Sequence, residues 1–291
     1  MNIQGIEFMV YAFTIVLLAA HSAAILFLMT RKTGRKEKEF KKLLFKIVLL
    51  EIPLFLVIGL VESVLEFSLS LLNGAETEDL AEAFFEFFFS VYKRPDLEKP
   101  LIIFVMSFFI IGPVEEVFKL LGAAIPTWDS PRFKRSFDGI VFCGSSALTY
   151  AFLENIEYVI QADSPLLKAV NRAVICTPVH FMLGVLTGIF YSRARIAANK
   201  GNRSGKIRNL FLAVLIPSLI HGLYDTISLN ISRLLDVVEE IDDTASIIKL
   251  LLLIAGAFKI VGGSYLVLFT VIFRRNDIIK ETEIPMNIQE D

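Results

Sequence analysis

The sequence predicts an all-α protein, a polytopic bundle of about seven transmembrane helices, and three observations predict it. Apolar residues make up 55% of the 291 and the mean hydropathy is +0.63, too hydrophobic for a soluble domain of this size. Seven apolar runs are each long enough to cross about 30 Å of hydrocarbon as a helix. The segments after spans 1, 3 and 5 are rich in Lys and Arg and those after spans 2 and 6 are acidic, as expected when Lys and Arg stay on the cytoplasmic side. The net charge of -2 decides little, because in a membrane protein the distribution of Lys and Arg among loops matters more than their sum. One integral-membrane domain over residues 1–273 is expected, with its catalytic spans over about 101–231 and a short polar tail over 274–291. The expected location is the cell membrane as a multi-pass protein, with the lipid bilayer as partner and no nucleic acid.

Span 1 covers residues 8–29 and carries His21. No basic region precedes it, so it reads as an anchor rather than a cleaved signal peptide. Residues 31–42 hold seven Lys or Arg, which places this loop in the cytoplasm and the N-terminus outside. Span 2, residues 43–72, contains Glu51, Pro53, Glu62 and Glu66. Residues 73–100 are acidic and rich in Phe, with Glu78, Glu82 and Glu86 four residues apart. That spacing suits a helix lying at the outer interface with its acidic stripe in water, and equally an ordinary connecting loop with a short helix.

Span 3, residues 101–125, is followed by Arg132, Lys134 and Arg135 on the cytoplasmic side. Span 4, residues 139–160, leads through a short outer loop to span 5, residues 173–192. The loop 193–209 then has six Lys or Arg and no acid, the clearest inside signal in the chain. Span 6, residues 210–231, ends in an acidic outer loop, and span 7, residues 247–273, closes on Arg274 and Arg275, which leaves the C-terminus inside. Cys143 and Cys176 both fall within spans, so a structural disulfide is not expected.

The residues that ask for a function are the ionisable ones inside spans 3 to 6, where charge is expensive and marks a site. Glu115 and Lys119 share a helix face four residues apart, with Glu116 turned by about 100°. One carboxylate can pair with Lys119, leaving the other to act as a general base; a structural Glu–Lys pair is the plain alternative. Glu154 and Asn155 lie well into span 4. His180 has Gly184 one turn on, a gap that lets a second backbone or a substrate approach. His221 and Asp225 are one turn apart, so the carboxylate can orient the ring and fix its tautomer. Counted at about 1.5 Å per residue, Glu115, His180 and His221 fall near mid-bilayer and Glu154 somewhat towards the outer leaflet. Two imidazoles with two or three carboxylates can hold Zn²⁺ with an open position for water, with His180, His221 and Glu154 as the expected ligands, or can activate water without a metal.

Four short patterns stand in order, each on its own span: E-E-V-F-K at 115–119, Y-A-F-L-E-N at 150–155, H-F-M-L-G at 180–184 and H-G-L-Y-D at 221–225. Together they resemble the signatures of the PrsW family of intramembrane proteases, E-E-x-x-K, F-x-x-x-E-N, H-x-x-x-G and H-x-x-x-D. D-G-I-V-F at 138–142 is also similar, and Tyr150 stands where the family usually has Phe. The resemblance implies an endopeptidase that cuts a membrane-anchored protein within or beside the bilayer, in known members a regulator that restrains transcription. It carries catalytic roles onto Glu115, Glu116, Lys119, Glu154, Asn155, His180, His221 and Asp225, with Gly184 beside them. The related type II prenyl-protein proteases suggest a Glu and a His activating water while another His and a polar neighbour hold the oxyanion. Two other classes also fit a seven-span bundle: a receptor-like protein, with mid-span Lys259 able in principle to form a Schiff base, and an ion or proton carrier built on the same Glu and His. Glu51 reads as facing a polar neighbour, and Cys176 as a buried packing residue.

Overall fold

The computed structural model describes residues 3–30, 38–72, 100–236 and 244–273, and these form seven long helices. They are α1 (Ile3–Thr30), α2 (Lys38–Leu72), α3 (Pro100–Thr127), α4 (Ser136–Ile160), α5 (Pro165–Asn199), α6 (Arg203–Asp236) and α7 (Thr244–Phe273). Each is long and apolar enough to cross a membrane. The all-α bundle is as expected, and the protein is a multi-pass integral membrane protein. The span limits need correction. Helix α5 begins at Pro165 rather than at 173, and α6 begins at Arg203 rather than at 210. Pro165 in the first turn explains the former, since its fixed φ suits that position and its missing N–H costs nothing there. The basic stretch 193–209 is therefore mostly two helix ends, joined only through 200–202. The expected interfacial helix at 73–100 falls almost wholly outside the described residues, as do the loop 31–37, the acidic loop 237–243 and the tail.

The chain divides into two compact units. The first comprises Met1–Pro53, Lys119–Ile216 and Val261–Asp291; the second comprises Leu54–Phe118 and Pro217–Ile260. In the first, α4 and α5 are buried over most of their length and pack on each other at glycines. A Cβ on Gly184 would lie 2.6 Å from Ala147 Cβ and 2.8 Å from the Cys143 carbonyl oxygen; on Gly188 it would lie 2.6 Å from both Gly139 O and Ile140 Cα. The gap at Gly184 is thus filled by the backbone of α4. Close backbone approach is what holds helices together in lipid, where apolar burial alone gives little drive. Gly188→Ala should therefore destabilise the protein by about 1–3 kcal/mol, measurable as a lower midpoint in denaturant titration of detergent-solubilised protein.

One end of this pair is fixed by an aromatic cluster, with Phe133 stacked on Tyr191 at 5.2 Å and Phe40 against Phe142 at 5.4 Å. The Asp of D-G-I-V-F closes the N-terminus of α4: Asp138 Oδ2 accepts the N–H groups of Lys134 and Arg135, each at 2.9 Å. At the other end, α1 packs Leu18 against Val159, Ala169 and Ala173.

In the second unit, α3 and α6 cross at Gly112 and Gly222. A Cβ on Gly112 would lie 3.0 Å from Ser218 O and 3.2 Å from Gly222 N; one on Gly222 would lie 2.9 Å from Phe108 Cα. Just before this crossing α3 opens into a π turn, Ser107–Ile111, with the Gly112 N–H bonded to Ser107 O. Pro113 accounts for the turn, because a proline ring clashes with the carbonyl one turn back and the wider π geometry makes room. Helix α5 repeats the device with the π turn Arg172–Cys176 ahead of Pro178, the Thr177 N–H bonding to Arg172 O.

Candidate functional site

The Gly112–Gly222 crossing sets Glu115 and Glu116 of α3 beside His221 of α6. His221 Nδ1 lies 3.0 Å from Glu116 Oε1, a hydrogen bond in which the ring N–H donates to the carboxylate. Nε2 then faces two more carboxylates, Asp225 Oδ2 at 3.3 Å and Glu115 Oε2 at 3.6 Å. Glu115, Glu116 and His221 are all buried. Three acids around one imidazole in a dry setting carry surplus negative charge that protons or a bound cation must offset. The arrangement also follows the pattern of metal-binding histidines, in which a carboxylate holds one ring nitrogen and so aims the other at the ion.

The α4–α5 crossing builds a second cluster, within the first unit. Glu154 is held between Arg172 Nη2 at 2.8 Å and His180 Nε2 at 2.9 Å. Arg172 also donates from Nε to Asn155 Oδ1 at 2.5 Å, and Asn155 Nδ2 donates to Thr177 Oγ1 at 3.0 Å. On the other side of the ring, Lys119 Nζ lies 3.1 Å from His180 Nδ1 and 4.3 Å above the Tyr150 ring. An ammonium only donates, so the network assigns His180 as the tautomer with its proton on Nε2, the ring atom that faces the Glu154 carboxylate. Tyr150, the departure from the usual Phe, packs its ring 5.9 Å from the imidazole and under the ammonium, a role that an aromatic face fills with or without its hydroxyl.

Four residues of this cluster escape the sequence patterns. Arg172 is buried, with its guanidinium 3.7 Å from the Tyr158 ring centre. Hydropathy alone leaves it in the loop before span 5; the Ser164-Pro165 step, a helix start seven residues earlier, is the signal that puts it inside the span. Thr177 anchors Asn155. Glu51 finds its polar neighbour in Ser146, whose hydroxyl also lies 2.6 Å from the Lys119 carbonyl oxygen. A Cβ on Gly122 would overlap the Glu51 carboxylate, so the glycine is what admits an acid behind Lys119. Cys143 and Cys176 are buried thiols, and Lys259 is exposed on α7.

The sequence-predicted residues thus fall into two groups: Glu115, Glu116, His221 and Asp225 in one unit, and Lys119, Glu154, Asn155 and His180 in the other. Residues 39–258 match the PrsW family intramembrane metalloprotease, a span that takes in every one of them. The chain belongs to the PrsW family. Among relatives, proteins named Protease PrsW are similar over part of the chain: that of Clostridioides difficile is 36% identical over 124 residues, covering 42% of this chain and 51% of the relative. That of Bacillus subtilis is 34% identical over 130 residues, 45% of this chain and 57% of the relative. That of Oceanobacillus iheyensis is 34% identical over 125 residues, 43% and 55% respectively. The chain spans about half the length of the curated relatives it matches. No solved structure matches it.

Proposed function

We propose that this PrsW-family protein is an intramembrane endopeptidase that hydrolyses a peptide bond of a membrane-anchored protein. The observation that carries the reading is that the family's four signatures supply two buried acid–imidazole clusters, on helices that are otherwise apolar. The cluster on α3 and α6 carries the reaction in this account. Glu115 takes the proton of the attacking water, and Glu116 holds His221 so that Nε2 faces the reacting group. In the first unit, Lys119 and His180 are donors of the kind that stabilise an oxyanion, with Glu154 and Arg172 fixing the imidazole. Basic segments on the cytoplasmic side leave the N-terminus outside.

The donor set suits a divalent cation at His221, where Glu115, Asp225 and Nε2 supply two oxygens and a nitrogen and Glu116 orients the ring. His180 and Glu154, two of the three ligands expected from sequence, would have to give up Lys119 or Arg172 to bind one. A bound Zn²⁺ would polarise the scissile carbonyl and make hydroxide available at neutral pH. Metal analysis of the purified protein checks this assignment: His221→Ala and Asp225→Asn should lose the ion that the wild type holds, and Glu154→Gln should keep it.

The activity itself is tested in proteoliposomes with a panel of single-span membrane proteins, comparing the wild type with Glu115→Gln. Cuts made by the wild type alone support the proposal. Identical fragments from both, or proton flux with no cleavage of any panel member, would sink it in favour of an ion carrier.

A further inference from the structure

Lys259 is the sixteenth of the 30 residues of α7. It is exposed, as are Phe258 at 78% and Leu252 at 68%, so this helix turns its surface to lipid. Lys249 lies ten residues before it and Phe273 fourteen after, about 15 Å and 21 Å along the axis. Snorkelling reaches neither end from there. Among the described residues, no hydrogen bond, ion pair or ring contact engages Lys259. An ammonium in that place is expensive unless an anion meets it within the bilayer.

The surface around it is open. A Cβ on Gly262 or Gly263, one turn further along and on the same face, would meet nothing within 4 Å, which leaves room for another helix backbone to come close. The depth is set by packing in the second unit, where a Cβ on Gly256 would lie 3.2 Å from Ile227 Cδ1. Consecutive spans run antiparallel, so Lys259, three residues beyond Gly256, lies about level with Tyr224 and Asp225. A second copy of the chain is a poor source of the anion: Glu51, Glu115 and Glu116 are buried, Glu154 is held by Arg172, and Asp225 by His221.

We propose that this face of α7 receives the transmembrane helix of the substrate, and that Lys259 pairs there with a carboxylate near the middle of that helix. The inference rests on the protease reading and adds to it a substrate class: membrane-anchored proteins with an acidic residue at mid-span. The Gly262–Gly263 surface lets the two helices approach, and the ion pair fixes depth and register before the bond is cut.

The test uses two synthetic single-span Leu/Ala peptides, identical except for Glu or Gln at the central position, and the full-length protein in proteoliposomes. Fluorescence energy transfer between labelled protein and peptide measures binding without requiring cleavage. The Glu peptide should bind about fivefold or more tighter than the Gln peptide. Lys259→Gln should erase the difference while leaving binding of the Gln peptide as in the wild type, and Lys259→Glu should favour a peptide with central Lys. Equal binding of the two peptides by the wild type overturns the inference, as does a Lys259→Gln variant that weakens both alike, which would mean that Lys259 acts through Asp225 or the fold. Both results would leave the protease reading standing, since that falls only with the loss of cleavage differences between wild type and Glu115→Gln.

Discussion

His221→Ala is expected to lower cleavage by about 10²–10⁴-fold while the protein stays in the membrane at wild-type level. The ring is the one imidazole among the four side chains that gather at the Gly112–Gly222 crossing, and all three acids there are arranged about it. Removing it leaves three carboxylates without the group that separates their charge. Glu116→Gln tests the orienting role separately. Its amide oxygen can still accept the Nδ1–H, so the ring keeps its direction while the charge that strengthens the bond is lost. A smaller fall, about tenfold, is therefore expected in single-turnover rates with a cleavable reporter. Full activity in His221→Ala would remove the cluster from the mechanism.

Arg172→Ala is expected to destabilise the protein by about 3–5 kcal/mol, because it strips the cationic partner from a carboxylate that has little access to water. The guanidinium meets both Glu154 and Asn155 and covers Tyr158. Its loss removes the partner of one Glu154 oxygen and of the Asn155 amide oxygen together. Arg172→Lys should not restore the site, since a point charge cannot reach both oxygens in the planar manner that guanidinium does. Adding Glu154→Gln to Arg172→Ala should recover much of the stability without recovering activity. Denaturant titration in detergent reads the first effect and reporter cleavage the second. A double variant no more stable than Arg172→Ala would mean that the charge balance argued here is not what Arg172 provides.

The spans were legible because the physics that fixes them is local: about 20 apolar residues are enough to identify a membrane helix whatever it packs against. Glu115, Glu116, Glu154, His180 and His221 were legible for a related reason, since an ionisable residue in such a run stands out without knowledge of its neighbours. What the sequence hid were the partners. Arg172 was hidden by a helix start that hydropathy alone places too late, as an Arg pulls the local average below threshold. The contact of Lys119 with His180 joins residues 61 apart, which no local pattern reveals, and Pro113 and Pro178 signal the two π turns only once the helices are seen. The role of Gly184 was open between backbone packing and substrate access. The register of α4 on α5 settles it for packing.

The central claim is that the acid–imidazole cluster of α3 and α6 acts as one catalytic unit, and a double-mutant cycle between Glu115 and His221 tests it most directly. Groups that act as a unit are grossly non-additive, so the account predicts that Glu115→Gln/His221→Ala cleaves within about tenfold of the worse single variant. Losses that multiply, with each substitution costing its full factor in the presence of the other, would show two independent contributions and contradict the account.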